Sequence, residues 1–333
     1  MSNFFFSRLV LLFLLYCSVE SAWRRVPRRK HHHQVQHSPK NVVHNVVKNI
    51  TISDRKPSKP PEGSNLKNKS FVAACLIIKD EGEYLPEWIE YHQRLGVSKF
   101  YVIDHFSVIP VLPFIQEYVR SGLVDYFLMD FPSHHERDPQ VAAYASCLDL
   151  HRNHHQFIAF IDADEFIVVV NKSRSLVDEL QDFKAYGGVA LNWMMFGSSG
   201  HVNRPKGGVI ENYQYCYKDY LVKNIVNTDY VMNGHHDFKQ PHVFKYAQDH
   251  YAVTPDGKPI YVALNKNLDS AYNRMYINHY HTKSYEEFIN KMKRGNGALY
   301  NPDPKHVFSD TYFEKINNKS KDLCPTLVMP LSL

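Results

Sequence analysis

Cysteine is scarce in this 333-residue chain, which contains only five, and its folded part has no excess of positive charge. So few cysteines exclude a small disulfide-stapled scaffold. The net charge of +5 arises in residues 1–70, whose balance is +10, whereas the remainder carries −5. A mildly acidic body argues against nucleic acid as a partner. At 44% hydrophobic and 14% aromatic residues, the chain can nevertheless build a sizeable core.

A long hydrophobic run is absent too, since the uninterrupted apolar stretch near the start covers only residues 9–16. A membrane span needs ~20 apolar residues, whereas the core of a signal peptide needs ~7–15. Residues 1–21 are therefore predicted to be either a signal peptide, cleaved before Ala22, or a short signal anchor that a basic run follows. In both cases we expect the rest of the chain to reach the Golgi lumen, as a single-pass type II membrane protein or as a secreted one.

Residues 22–70 are predicted to form a basic stalk. They contain five prolines, many Lys, Arg and His residues, and few large apolar side chains. Such a segment cannot bury enough surface to offset the entropy lost on ordering. Glycosylation sequons, which agree with a lumenal location, begin at Asn49, Asn68, Asn171 and Asn318.

Four cysteines lie beyond the targeting segment. Cys75 belongs to an apolar strand pattern and Cys147 to a helical one, so both are predicted to be buried thiols. Cys216 and Cys324 are the one pair considered for a disulfide.

Strand and helix patterns alternate from residue 71 onward, and a single domain is predicted over residues 71–325. Apolar runs of strand length occupy residues 71–78, 99–104, 124–129 and 156–161, and helical spacing occupies residues 83–95, 111–121 and 139–153. This alternation predicts an α/β fold with a Rossmann-like, mostly parallel sheet flanked by helices. Ligands of such sheets bind at the carboxyl ends of the strands, which brings residues 79–81, 104 and 162–165 into one neighbourhood.

The segment at residues 162–165, with the sequence DADE, carries the strongest chemical signal. Three carboxylates at the exit of a buried strand repel one another, and a hard divalent cation is the simplest compensation. If a diphosphate were bound to that cation, the cation would neutralise the negative charge that the diphosphate carries as a leaving group. The alternative is a turn whose acidic side chains face water.

Several further motifs follow one another in order between residues 71 and 300. They are CLIIKDE at 75–81, LPEWIEYH at 85–92, DADEF at 162–166, WMMFGSSG at 193–200, VKNI at 222–225, PHVF at 241–244 and INHYHTKS at 277–284. In this combination the chain resembles glycosyltransferase family 92, within the family-2-like transferases of the GT-A fold. The resemblance implies a single catalytic domain, dependent on Mn²⁺ or another divalent cation, that transfers a hexose with inversion. The implied donor is a UDP-sugar, typically UDP-galactose, and the implied acceptor a glycan or glycoprotein.

The resemblance also assigns roles to individual residues. Asp80 and Glu81 would contact the uracil or ribose, and Asp104 would contact the nucleoside. Asp162 and Asp164 would hold the metal and the donor ribose. His279 would be a late metal ligand, and Lys283 would lie against the diphosphate. The second strand departs from the family pattern, because no later acid follows Asp104. A metal bound by two carboxylates and phosphate oxygens has room for one imidazole, with His281 as the alternative to His279.

Other candidates remain open between two interpretations. Lys223, in an apolar stretch, either reaches the surface or binds an anion of the donor. Trp193 is either a platform for the acceptor sugar, together with Phe196, or part of the core. The catalytic base that inversion requires is predicted to be Glu211 or Asp237.

Two other classes of function compete with a transferase. One is a catalytically inactive carbohydrate-binding protein on the same fold, and the other is a metal-dependent phosphohydrolase. A membrane is an expected partner if the N-terminal segment stays uncleaved.

Overall fold

The computed structural model describes residues 69–129, 138–232, 240–247, 249–295, 309–325, 327 and 330. The predicted targeting segment, almost all of the predicted stalk, the sequons at Asn49 and Asn68, and Asp237 lie outside these ranges. None of the helices within them is both long and apolar enough to span a bilayer.

The described residues form one mixed sheet of eleven strands. The strands are β1 (Ser70–Ile78), β2 (Lys99–Asp104), β3 (Val124–Leu128), β4 (His155–Phe160), β5 (Glu165–Val169), β6 (Gly188–Phe196), β7 (Tyr215–Asn227), β8 (Ala252–Val253), β9 (Pro259–Ile260), β10 (Met275–His279) and β11 (Asp322–Leu323). The helices are α1 (Leu85–Arg94), α2 (Leu112–Arg120), α3 (Pro139–His151), α4 (Leu176–Gln181), α5 (Val209–Asn212), α6 (Tyr285–Arg294) and α7 (Asp310–Lys319). The predicted class, an α/β fold with a central sheet flanked by helices, is confirmed.

The first half of the sheet has the predicted parallel arrangement. Its strands lie in the order β3-β2-β1-β4, and every pairing among them is parallel. The continuous apolar run of β1 reflects burial on both faces, since residues 72–76 have no exposed surface. The helix α1 has a proline in its first turn, and Gly96, with φ +109°, follows it as predicted. All seven elements predicted before residue 162 are present.

The second half of the sheet is mixed rather than parallel. Strand β7 pairs antiparallel with both β4 and β6, and β10 runs parallel to β6 and antiparallel to β5. This pairing aligns His279 with Glu165 across the sheet, and the Tyr280 N–H donates to the Asp164 carbonyl at 2.8 Å. Residues far apart in sequence are thereby held side by side at the edge where β4 ends.

Two disulfides tie helices and strands together. The predicted Cys216–Cys324 pair is present, with its Cα atoms 5.9 Å apart. The prediction that Cys75 and Cys147 are separate thiols is wrong, because they form a disulfide between β1 and α3 with Cα atoms 6.7 Å apart. Both residues are buried in one apolar cluster. Their local patterns predicted burial correctly but could not show that α3 packs on β1.

Candidate functional site

The carboxyl ends of β1 and β4, the end of β10 and the helix α6 enclose a small cavity of about 170 Å³, here called the inner cavity. Its polar lining residues are Lys79, Glu81, Gln140, Asp162, Asp164, His279, His281, Lys291 and Arg294, with Trp193 on one wall. An adjoining cleft of about 630 Å³, here called the outer cleft, shares Glu81, His281, Lys291 and Arg294 with it and adds Asp80 and Lys283. As expected for the carboxyl ends of neighbouring strands, residues of the segments 79–81 and 162–164 lie together, whereas Asp104 lines neither cavity.

Asp164 and His279 face each other in the inner cavity. The His279 Nε2 lies 3.4 Å from the Asp164 carboxylate, and the Lys291 ammonium lies 2.8 Å from the other oxygen of that carboxylate. Burial alone would raise the pKa of Asp164, but Lys291 and His279 hold it well below its usual value. Asp164 is thus ionised at neutral pH. The second ring nitrogen of His279, Nδ1, is buried and has no hydrogen-bond partner within the described part of the chain.

Asp162 lines the same cavity, but its carboxylate is held by protein groups. Gln140 and the Tyr144 hydroxyl, both on α3, donate to one oxygen at 2.6 and 2.8 Å. The Lys223 ammonium donates to the other oxygen at 2.9 Å. Across the residues that the structure describes, no three His, Cys, Asp or Glu side chains lie close enough together to hold one metal ion. All three predicted metal ligands thus line the inner cavity, but only Asp164 and His279 lie in direct contact with each other.

Lys223 neither reaches the surface nor lines either cavity, since its side chain is only 1% exposed. The predicted contact between Lys223 and the donor is replaced by the internal ion pair with Asp162. Glu165 lies nearby, 3.8 Å from the Lys223 ammonium, and accepts a hydrogen bond from the Asp162 N–H at 2.9 Å. Burial raises the pKa of Glu165 well above its usual value, an effect that Lys223 only partly opposes. Lys223 therefore holds the side chain of Asp162, and Glu165 holds its backbone N–H.

Glu81 lies among cations. Arg294 bonds to its carboxylate, and the ammonium groups of Lys283 and Lys291 are each 3.9 Å away. Burial alone would raise the pKa of Glu81, but Arg294, Lys283 and Lys291 together lower it to about 2. Glu81 therefore acts as the counter-ion of this cation cluster.

Asp80 and Asp104 shape the loop that follows β2. Asp80 accepts hydrogen bonds from the N–H groups of Val108 and Ile109, at 2.6 and 3.0 Å, and lines the outer cleft. Asp104 accepts from the Ser107 N–H at 2.9 Å and from the Tyr126 hydroxyl at 2.6 Å. It is buried and lines neither cavity, so the structure gives it a loop-positioning role instead of the predicted nucleoside contact.

The remaining predicted residues divide between the core and the surface. Trp193 is 7% exposed, and its ring lies 4.2 Å from the ring of His279 and 5.4 Å from that of His242, so it is a core residue with one edge on the inner cavity. Phe196, at 2% exposure, cannot form a platform with it. Glu211 is exposed on α5 and lines neither cavity, so the structure does not bring it to the site. Asp237 lies outside the described residues.

The model of glycosyltransferase family 92 matches residues 72–318, which is most of the chain. The chain belongs to this family. A family 92 protein of Ricinus communis is 25% identical over 206 residues, 57% of this chain and 35% of that protein. A family 92 protein of Oryza sativa subsp. japonica is 28% identical over 148 residues, 43% of this chain and 24% of that protein. The chain thus spans about a third or less of the length of these curated relatives.

Solved structures give a more distant likeness. The crystal structure of S. aureus TarS 1–349 in complex with UDP-GlcNAc is 15% identical to this family 92 chain, with a TM-score of 0.35. The match covers 75% of this chain and 72% of the TarS chain.

Gln140 and Tyr144, one turn apart on α3, were not among the predicted site residues, although they hold the Asp162 carboxylate. Lys79, Lys291 and Arg294 also line the inner cavity without having been among the predicted site residues. A signal for Gln140 was available, because a glutamine in the first turn of a helix of buried apolar residues needs a polar partner. Its partner could not be inferred, since the packing of α3 against β4 is a tertiary property.

Proposed function

We propose that this chain transfers a hexose from a UDP-sugar to a glycan or glycoprotein acceptor, with inversion and with the help of a divalent cation. One observation carries the proposal: the ionised Asp164 and the imidazole of His279 meet in a cavity that shares lining residues with a cleft rich in cations. An acid–imidazole pair beside ammonium and guanidinium groups suits a ligand that is both metal-bound and strongly anionic, as a nucleoside diphosphate is.

Two of the three predicted ligands suit a divalent cation such as Mn²⁺. A carboxylate is a hard ligand and an imidazole an intermediate one, so Asp164 and His279 form a donor set that Mn²⁺ accepts. A cation bound there would neutralise charge on the departing diphosphate. Asp162 does not fit as a third ligand, because Gln140, Tyr144 and Lys223 already hold its oxygens. We assign it to the donor ribose, whose hydroxyl groups could donate to a carboxylate that is 30% exposed.

The cations around Glu81 suit the diphosphate. Lys283 precedes α6, and Lys291 and Arg294 lie in the last turn of that helix. The side chain of Ser284 and that of Glu287 cap the first turn of α6. We propose that the phosphate oxygens take over part of the charge pairing that Glu81 provides in the absence of donor. The identity of the sugar, galactose, follows from the family resemblance alone.

An inverting transfer needs a base at the acceptor hydroxyl. Of the two residues predicted for this role, Glu211 lines neither cavity. Asp237 therefore remains our candidate.

We further propose that the domain works in the Golgi lumen, anchored through residues 1–21 or secreted after their cleavage. The disulfides Cys75–Cys147 and Cys216–Cys324 support an oxidising compartment. Asn171 and Asn318, which begin two of the sequons, are exposed and could carry glycans. Protease treatment of sealed microsomes tests the location, and digestion of the domain without detergent would contradict it.

The transfer itself is tested with purified full-length protein and a panel of UDP- and GDP-sugars, with Mn²⁺ or with EDTA. We expect transfer of a hexose from one UDP-sugar, a product with inverted anomeric configuration by NMR, and loss of activity in EDTA. Release of free sugar or phosphate without a glycan product would favour the phosphohydrolase. Glycan binding without any turnover would favour the inactive carbohydrate-binding protein.

A further inference from the structure

A third cavity, of about 680 Å³, lies beside the loop at residues 197–202 and is here called the tyrosine cavity. Its lining residues are Ser198, Ser199, Gly200, His201, Val202, Tyr215, Tyr285, Phe313, Glu314, Asn317, Asn318 and Ser320. It shares none of them with the inner cavity or the outer cleft. Ligand pockets commonly measure ~300–1,000 Å³, so this one could hold a small oligosaccharide.

The lining of the tyrosine cavity combines exposed aromatic rings with polar side chains, of which Glu314 is acidic. Tyr215 and Tyr285 are 43% and 36% exposed, and the ring of Phe313 lies 5.1 Å from that of Tyr285. Among the described lining residues there is no lysine or arginine, so nothing there favours a phosphate or a nucleic acid. Aromatic rings that carry a polar tip suit a ligand with both apolar and hydroxylated faces, as a pyranose has.

The Ser320 hydroxyl of the lining is buried, with the residue 8% exposed, and has no hydrogen-bond partner among the residues that the structure describes. A buried hydroxyl without a partner costs free energy. The exposed side chains of Asn318 and Glu314 add an amide and a carboxylate, the groups that commonly bind sugar hydroxyls.

The walls of the cavity are fixed before any ligand arrives. The Asn317 side chain accepts hydrogen bonds from the Ser198 N–H at 2.7 Å and from the Ser198 hydroxyl at 2.8 Å. The Tyr285 N–H donates to the His201 carbonyl at 3.1 Å, which fastens the loop to the start of α6. Preformed walls lower the entropy that binding costs.

The start of α6 separates the tyrosine cavity from the outer cleft. Lys283 and Glu286 line the outer cleft, whereas Tyr285, between them in sequence, lines the tyrosine cavity. A glycan acceptor with several sugars could therefore have one end near the donor and another part in the tyrosine cavity.

We propose that the tyrosine cavity is a second carbohydrate site, which binds a neutral oligosaccharide by stacking on Tyr285 and Tyr215. Its assignment to the acceptor glycan rests on the proposed function. A second source of the same chemistry is the chain's own N-linked glycan, because Asn318 both begins a sequon and lines the cavity.

The test measures binding rather than turnover. Full-length protein from a secreting eukaryotic cell line is applied to a printed array of neutral N-glycan oligosaccharides, and the affinity of the best binder is determined by calorimetry. The variants are Tyr285→Ala and Tyr215→Ala, with Tyr220→Ala as the control, since Tyr220 is 50% exposed on the same strand as Tyr215 but outside the cavity. We expect each cavity variant to lose about tenfold in affinity, as removal of a stacking ring worth ~1.4 kcal/mol would cause. Tyr220→Ala should bind as the wild type does.

Asn318→Gln distinguishes the two sources. If the wild type binds free oligosaccharide, the site is open to the acceptor. If only Asn318→Gln binds, the chain's own glycan is the occupant, and either result supports a carbohydrate site. Unchanged affinity in both cavity variants, or no binding by the wild type and by Asn318→Gln, would overturn the proposal. UDP affinity of the same samples reports the donor cleft separately, so a failure of the transferase hypothesis leaves this result interpretable.

Discussion

The Lys223 ammonium donates to the Asp162 carboxylate at 2.9 Å from a position that is 99% shielded from solvent. A lysine buried this deeply is stable only if its charge is paired. Burial would lower the pKa of Lys223, but Asp162 and Glu165 raise it above its usual value, so the ammonium stays charged. Lys223 therefore fixes Asp162 on the wall of the inner cavity without contacting that cavity itself.

Lys223→Met should destabilise the domain. It leaves the carboxylates of Asp162 and Glu165 close together without their cation, and breaking a buried ion pair costs ~3–5 kcal/mol. We expect the free energy of unfolding to fall by about 2–4 kcal/mol, because Asp162 is 30% exposed and its carboxylate can regain water. Urea unfolding measures the loss, and Lys218→Met, at an exposed position of the same strand, is the control. The double variant Lys223→Met with Asp162→Asn should recover part of it. Equal stability of Lys223→Met and wild type would contradict the role assigned to the pair.

Asp164→Asn should abolish most of the transfer while the domain stays folded. The amide keeps the shape of the side chain but loses the charge that pairs with Lys291 and that the proposed divalent cation would need. Loss of one electrostatic contact of this kind lowers rates by ~10²–10³. His279→Ala should lose less, and excess Mn²⁺ should restore part of its activity. Calorimetry with UDP and Mn²⁺ and a transfer assay measure both, with Asp322→Asn, an exposed carboxylate, as the control. Full transferase activity of the wild type in EDTA, or of Asp164→Asn, would show that Asp164 and His279 do not form a metal site needed for transfer.

The first half of the fold could be predicted because its information is local. Strands buried on both faces read as continuous apolar runs, and α1 to α3 read as helical spacing. The second half could not be predicted this way, since nothing local indicates that β10 inserts between β6 and β5. That insertion is what brings His279 to Asp164. The family resemblance supplied His279 without the geometry that explains it.

The errors at the site have the same origin. Lys223 was expected either to reach the surface or to bind an anion of the donor, but it is buried and pairs with the Asp162 carboxylate. Asp104 sits at a strand exit as predicted, yet Ser107 and Tyr126 hold both of its oxygens. The type of residue and its place on the sheet edge were predictable. Which neighbour satisfies it depends on tertiary packing.

Glu81→Gln should remove a stabilisation that depends on pH. The pKa of Glu81 is lowered from 4.5 to about 2 in the folded protein, so its stabilisation is present above pH 4.5 and is lost as the pH falls toward 2. The shift corresponds to a difference on the order of 3 kcal/mol. Urea unfolding from pH 7 to pH 3 should show that the difference in unfolding free energy between wild type and variant becomes smaller below pH 4.5. The control is Glu117→Gln, whose carboxylate is 79% exposed and should give a small gap. A constant gap down to pH 3 would show that the cation cluster does not depend on the ionised Glu81.

Loss of the Cys75–Cys147 disulfide should weaken the site as well as the fold. The bond closes a loop over a sequence separation of 72, and the chain-entropy model assigns about 4 kcal/mol to a loop of this size. It also fastens α3, which carries Gln140 and Tyr144, to the strand that leads to Glu81. We therefore expect the double variant Cys75→Ala with Cys147→Ala to lower both the melting temperature and the affinity for UDP with Mn²⁺. The matched control is Cys216→Ala with Cys324→Ala, which removes a bond of longer separation, 108, that joins β7 to the segment after β11. This control should lower the melting temperature alone. If both double variants bind UDP equally well, α3 holds Asp162 without help from the disulfide.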